Sequence, residues 1–146
     1  MYFFVKQLPN HQILYRAISY EYFIKANGNI DAKAFIRRYQ KRTQSYEKNL
    51  SSALNPEDTY STLRWCFGVI RFTVKNLRDL GLDAIEDKPD HVSIINLPHP
   101  EKEEDEANII ARKLAKKARI YARWSKEESQ QIKKGELDWR DFLVAE

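Results

Sequence analysis

The stretch EKEEDEANIIARKLAKKARIYARW, residues 101–124, decides how much of this chain is helix. Ala107, Ile110, Ala111, Leu114, Ala115, Ala118, Tyr121 and Ala122 recur at three- and four-residue steps. That is the apolar stripe of an amphipathic helix, and the spacing predicts one long helix over Glu103–Trp124. Glu101, Glu103, Glu104, Asp105 and Glu106 crowd its start and bases crowd its end, the arrangement the helix macrodipole favours. Downstream, Ser125-Lys126-Glu127-Glu128 restarts a helix that Gly135 ends. ELDWRDFL (136–143) then offers Leu137, Trp139, Phe142 and Leu143 for docking.

Upstream lies DKPDHVSIINLPHP (87–100), with two of the three histidines. Val92, Ile94, Ile95 and Leu97 form a strand-like run. Pro89, Pro98 and Pro100 bound it, since proline cannot donate a ladder hydrogen bond. Apolar residues on both faces predict an internal strand. CFGVIRFTV (66–74) is aromatic and β-branched and predicts a central strand. KNLRDLG (75–81) reads as a short helix ended by Gly81, and LDAIED (82–87) as a strand. Asn55-Pro56-Glu57-Asp58 signals a helix start, with Asn as cap and Pro at N1, running to about Trp65.

Nearer the N-terminus, YFFVKQ (2–7) and QILYRAIS (12–19) read as strands. YEYFIKA (20–26) fits strand or helix, and Asn27-Gly28-Asn29 is a turn signal. In IDAKAFIRRYQKR (30–42), Asp31 suits a helix cap, and a second hairpin strand over Ile30–Ile36 fits as well. TQSYEKNLSSALN (43–55) shows no period and reads as loop. The sum is one α+β domain over residues 1–146: a small mixed or antiparallel sheet with packed helices and a long C-terminal amphipathic helix.

With 146 residues and 42% hydrophobic content, the chain can bury a real core. No stretch approaches a membrane span of roughly 20 apolar residues, and the N-terminus lacks a basic leader. Cys66 is the single cysteine, so no internal disulfide forms. A cytoplasmic protein with no membrane partner is expected. His91 and His99, eight residues apart, stand about 26 Å apart if extended. No metal site and no cofactor are expected, and four glycines supply no phosphate cradle. Cys66, between Trp65 and Phe67, reads as core.

The net charge is +4 and two basic groups stand out. Arg112, Lys113, Lys116, Lys117, Arg119, Arg123 and Lys126 follow one another with no acid between Arg112 and Arg123. On a continuous helix Arg112, Lys116, Arg119 and Arg123 share a face, with Tyr121 and Trp124 flanking it. Such a stripe tracks phosphates, and aromatics add stacking; a solvated helix face looks the same. Arg37, Arg38, Lys41 and Arg42 form the second group, interleaved with Tyr39 and Tyr46. The leading expectation is a binding module for DNA or RNA. The rival is a module for a protein partner of toxin–antitoxin type.

His91 beside Asp90 reads as a catalytic pair or as a strand-start histidine capping backbone groups. The LYRA segment and its nearby aromatics resemble ADP-ribosyltransferase-like toxins. That resemblance implies that Arg16 holds a dinucleotide phosphate, that Tyr20 or Tyr22 stacks and that a glutamate acts on the ribose; a structural strand arginine is the alternative for Arg16. His91 is a further candidate anion or nucleotide contact. No matching Ser-Thr-Ser or paired-glutamate motif accompanies the resemblance, and a binding role outweighs an enzymatic one.

Gly68-Val69, Arg78, Leu80-Gly81-Leu82, His91 and Leu97-Pro98, with Ala34-Phe35, Leu50-Ser51-Ser52 and Pro56-Glu57, form a further pattern. It resembles a group of small prokaryotic proteins of unassigned function. The acidic turn Glu86–Asp90 is shorter than that group's. The resemblance implies a shared α+β fold and no particular activity.

Overall fold

A computed structural model describes residues 6–61 and 63–144. Its centre is an open seven-stranded sheet in the order β1-β7-β8-β5-β2-β6-β9. The strands are β1 (Lys6–Gln7), β2 (Ile13–Ala17), β5 (Leu50–Ala53), β6 (Gly68–Thr73), β7 (Asp83–Lys88), β8 (His91–Ile95) and β9 (Arg119–Arg123). Every pairing in it is antiparallel. A separate two-stranded hairpin joins β3 (Tyr39–Gln40) to β4 (Ser45–Tyr46). The helices are α1 (Glu57–Tyr60), α2 (Val74–Arg78), α3 (Glu104–Lys117) and α4 (Lys126–Lys133). None is long and apolar enough to cross a membrane.

The α+β class and the antiparallel sheet agree with the sequence. The long C-terminal helix does not. α3 stops at Lys117, and Ala118 turns to extended backbone with φ −72° and ψ 157°. Residues 119–123 pair instead with β6. The reason is tertiary. Ile120 is β-branched and Tyr121 aromatic, β6 offers them a strand edge, and Ala118 and Ala122 suit either period. No glycine marks the stop. Arg119 provides one, its Nη1 donating to the carbonyls of Lys116 at 2.9 Å and Ala118 at 3.0 Å. Bases at a helix C-terminus also suit its dipole.

β5 is the other correction. Residues 50–53, read as loop, form the middle strand of the sheet between β8 and β2. Leu50 and Ser52 face inward, opposite Ile94 and Val92. The strand is half serine, so propensity is silent and its neighbours decide. α1 starts one residue later than expected, with Pro56 rather than Asn55 at the N-cap and no side-chain cap, and is one turn long. Its last residue, Tyr60, packs edge-on against Trp124 at 5.6 Å. Of the strand expected over residues 2–7, residues 2–5 lie outside the described residues.

Other expectations agree. β8 is internal, with Val92 and Ile94 fully buried. Its second face is more open than the sequence suggested. Thr73 and Asn76 form a capping box on α2, and Ser125 and Glu128 do the same for α4. Asp31 caps a 3-10 turn over Ala32–Phe35, which settles the ambiguous segment, and Glu21–Phe23 is a second such turn.

The sheet has two different faces. Leu14, Leu50, Ile70, Phe72, Ala84, Val92 and Ile94 point to the larger core, beneath α2, α3 and the 3-10 turns. Each buried leucine of this kind stabilises by about 1.5–3 kcal/mol. On the opposite face a smaller core of Tyr60, Cys66, Val69, Ala122, Trp124 and Ile132 covers only the β6–β9 end. Gly68 makes that end possible. Its φ is +139°, and a Cβ there would stand 2.2 Å from the Ala122 carbonyl oxygen.

Candidate nucleic-acid interface and a serine–histidine cluster

The C-terminal half of α3, the start of β9 and the Lys25–Ile30 turn enclose a cleft of about 800 Å³. The turn is built as its sequence suggests: Gly28 takes φ +86°, its N–H meets the Lys25 carbonyl at 2.9 Å, and Ile24 bridges to Ile30. This brings Lys25 across from Arg112, Lys116 and Arg119. All four are exposed and line the cleft, and its lining contains no acid. Ile30, Ala32, Ala115 and Ile120 give it apolar walls. A shallower depression of about 600 Å³ shares Ala32 and Arg112 with the cleft and continues to Lys33. Lys33 lies over the Tyr22 ring at 5.5 Å. Tyr22 stacks on Tyr20 at 5.2 Å, and Arg38 covers Tyr20 at 4.8 Å. Asp31 and Asp105 line the depression as well.

Three bases of the expected stripe, Arg112, Lys116 and Arg119, therefore share a site. Lys113 and Lys117 are exposed on α3 outside its lining. Arg123 stands at the far end of β9, opposite Gly68, because the helix it was assigned to has ended. Tyr121 and Trp124 do not flank the stripe. Trp124 is buried and its Nε1–H donates to the Cys66 carbonyl at 2.6 Å. Tyr121 packs on Tyr15 at 5.2 Å and under Arg71.

The second basic group divides. Arg37 turns inward, its Nη1 donating to the Glu47 carbonyl at 3.1 Å and its Nη2 to the Pro98 carbonyl at 3.2 Å. Arg38 lies 3.7 Å from the Glu47 carboxylate. Lys41 and Arg42 are exposed at the hairpin tip. That hairpin is tied to the acidic start of α3, where Tyr46 donates to Glu101 at 2.8 Å. Lys41 and Arg42 are not among the residues that line the cleft.

Arg16 is buried on the core face. Its Nε donates to the Ala34 carbonyl at 2.9 Å and its Nη1 to the Ser51 carbonyl at 2.6 Å. Burial lowers its pKa to about 10, so it stays charged at neutral pH. A guanidinium committed to two backbone carbonyls inside the core is poorly placed to hold a dinucleotide phosphate. Cys66 is buried too, which pushes its thiol up to about 11.

His91 finds a partner, but not Asp90. Asp90 occupies the β7–β8 turn with φ +65°. The His91 ring instead lies with Nδ1 2.6 Å from Asp87 Oδ1 and Nε2 3.3 Å from Ser51 Oγ. Ser93 Oγ donates to Asp87 Oδ2 at 2.7 Å. A β-bulge makes this possible: Glu86 pairs with Val92 and Lys88 with His91, leaving Asp87 extra between them. Bulges re-aim side chains in this way. Burial raises the Asp87 pKa, yet hydrogen bonds from His91 and Ser93 outweigh it and hold the carboxyl below its ordinary value.

Sequence reasoning missed Lys25, Ser51, Asp87 and Ser93. Lys25 is isolated in sequence, and Ser51 lay in the apparent loop. The Asp87–His91 spacing of four residues is a helix signal, and only the bulged hairpin turns it into a contact. Among the described residues no three His, Cys, Asp or Glu side chains gather to hold a metal ion. Compared with protein-family models, curated proteins and solved structures, the chain has no match.

Proposed function

We propose that the protein binds single-stranded nucleic acid along α3. The observation that carries this reading is the cleft with four bases and no acid in its lining. Phosphates sit among Lys25, Arg112, Lys116 and Arg119, and bases reach the Tyr20–Tyr22 pair by displacing Lys33 from the Tyr22 ring. A cationic groove leading to a stacking platform is how sequence-tolerant single-strand binding works. Arg119 contributes less freely than the others, since part of its guanidinium caps α3.

The test is fluorescence anisotropy with a labelled oligonucleotide at several salt concentrations. For single strands log affinity falls with log salt by about 0.7 per phosphate contact. Arg112→Gln with Lys116→Gln should therefore weaken binding to every sequence alike and flatten the slope by about 1.4. No binding by the wild type at tens of micromolar and low salt would remove this reading and leave a protein partner in its place.

A further inference from the structure

We propose that Ser51 is a nucleophile, activated by His91 and Asp87, that accepts acyl groups from activated carboxylic esters. The inference does not depend on the nucleic-acid reading. Ser51 and His91 lie on the sheet face opposite α3, because Leu50 and Val92 beside them face the core beneath it.

The hydrogen-bond polarity is fixed by the chain of partners. Asp87 carries its carboxyl ionised at neutral pH and can only accept. It accepts from Ser93 Oγ at one oxygen and therefore from a protonated His91 Nδ1 at the other. In the neutral ring Nε2 then bears the lone pair. The Ser51 hydroxyl, 3.3 Å away, donates into it. Nucleophile, base and orienting acid thus stand in the order that acyl transfer needs, and such a constellation is recognised by geometry and roles rather than by sequence order. Ser51 itself is exposed, so an ester can reach it. Three adjacent strands, β5, β8 and β7, hold the groups, and rigid elements hold such sites better than loops.

The step balances without a co-reactant other than water. Ser51 Oγ attacks the ester carbonyl carbon while its proton passes to His91 Nε2. The bond from that carbon to the leaving oxygen breaks, and the imidazolium returns the proton to the leaving group. Water, deprotonated by His91, then attacks the acyl-serine; the acyl carbon–Oγ bond breaks, the imidazolium returns its proton to Ser51 Oγ, and a carboxylic acid leaves.

The test uses the full chain with p-nitrophenyl acetate. The expected result is a burst of p-nitrophenolate approaching one equivalent per chain, then slow turnover. Peptide mass spectrometry should place one acetyl group on Ser51. Ser51→Ala should remove both burst and label. His91→Gln should slow acylation by about 100-fold or more, the size of a general-base contribution. Circular dichroism checks that each variant is folded. Acetylation confined to lysines, or an unchanged burst in folded Ser51→Ala, overturns the proposal. So does a wild-type protein with no burst.

Discussion

Arg16 and Arg37 tie the chain to itself, whereas Arg112 and Lys116 line a cleft open to solvent. All four are bases in a mildly basic sequence, and nothing in their immediate neighbours separates them. The difference lies in what each side chain meets. Arg16 and Arg37 end on backbone carbonyls of β5, a 3-10 turn and loops. Arg112 and Lys116 end among other cations, in a cleft whose lining holds no acid. A basic residue is a binding candidate only once its carbonyl partners have been counted.

This contrast can be broken at three points. The largest effect is expected at Arg16. Arg16→Ala leaves the Ala34 and Ser51 carbonyls unpaired and opens a hole in the core. Unpaired buried acceptors cost about 1–3 kcal/mol each, so unfolding free energy should fall by about 3 kcal/mol or more, read by urea titration. Arg37→Ala should cost less, about 1–2 kcal/mol, because water can reach part of its site. Arg112→Gln with Lys116→Gln should change stability by no more than about 0.5 kcal/mol, as surface substitutions do, while binding weakens. A double variant that unfolds would show that the cleft bases are structural after all.

The smallest effect concerns Asp87, which belongs to neither group. Its folded pKa is depressed below the ordinary 3.8. The ionised carboxylate therefore stabilises the fold above pH 3.8, and that contribution disappears as pH falls through the folded value. The stability gap between wild type and Asp87→Asn should be present above pH 3.8 and close as pH falls through the folded value. A gap independent of pH would mean that the hydrogen bonds to His91 and Ser93 do not require the charge.

Much of the sheet was legible because β2, β6, β7 and β8 carry enough β-branched and apolar residues to announce themselves. β5 was not, since Leu50-Ser51-Ser52-Ala53 has no pattern until Ile94 and Val92 stand opposite. α3 and β9 were merged because alanine at 118 and 122 satisfies a period of 3.6 and of 2 equally. The cleft was half visible: α3 supplied Arg112 and Lys116, but Lys25 arrives through a turn about ninety positions earlier in the chain. The serine–histidine cluster was invisible for a different reason. It depends on one bulged residue, and an insertion of that kind leaves no mark in hydrophobic pattern.

Among the described residues, β2 and β5 meet at a single register pair, Tyr15 with Ala53. The sheet is thus two ribbons, β1-β7-β8-β5 and β2-β6-β9, with Arg16 riveting one to the other. Amide exchange should respect that seam. Protection in β7 and β8 should rise and fall together, and so should protection in β6 and β2, with different opening free energies for the two sets. Ser51, Asp87, His91 and Ser93 all belong to the first ribbon. An opening along the seam would separate the halves of the molecule and leave those four side chains together.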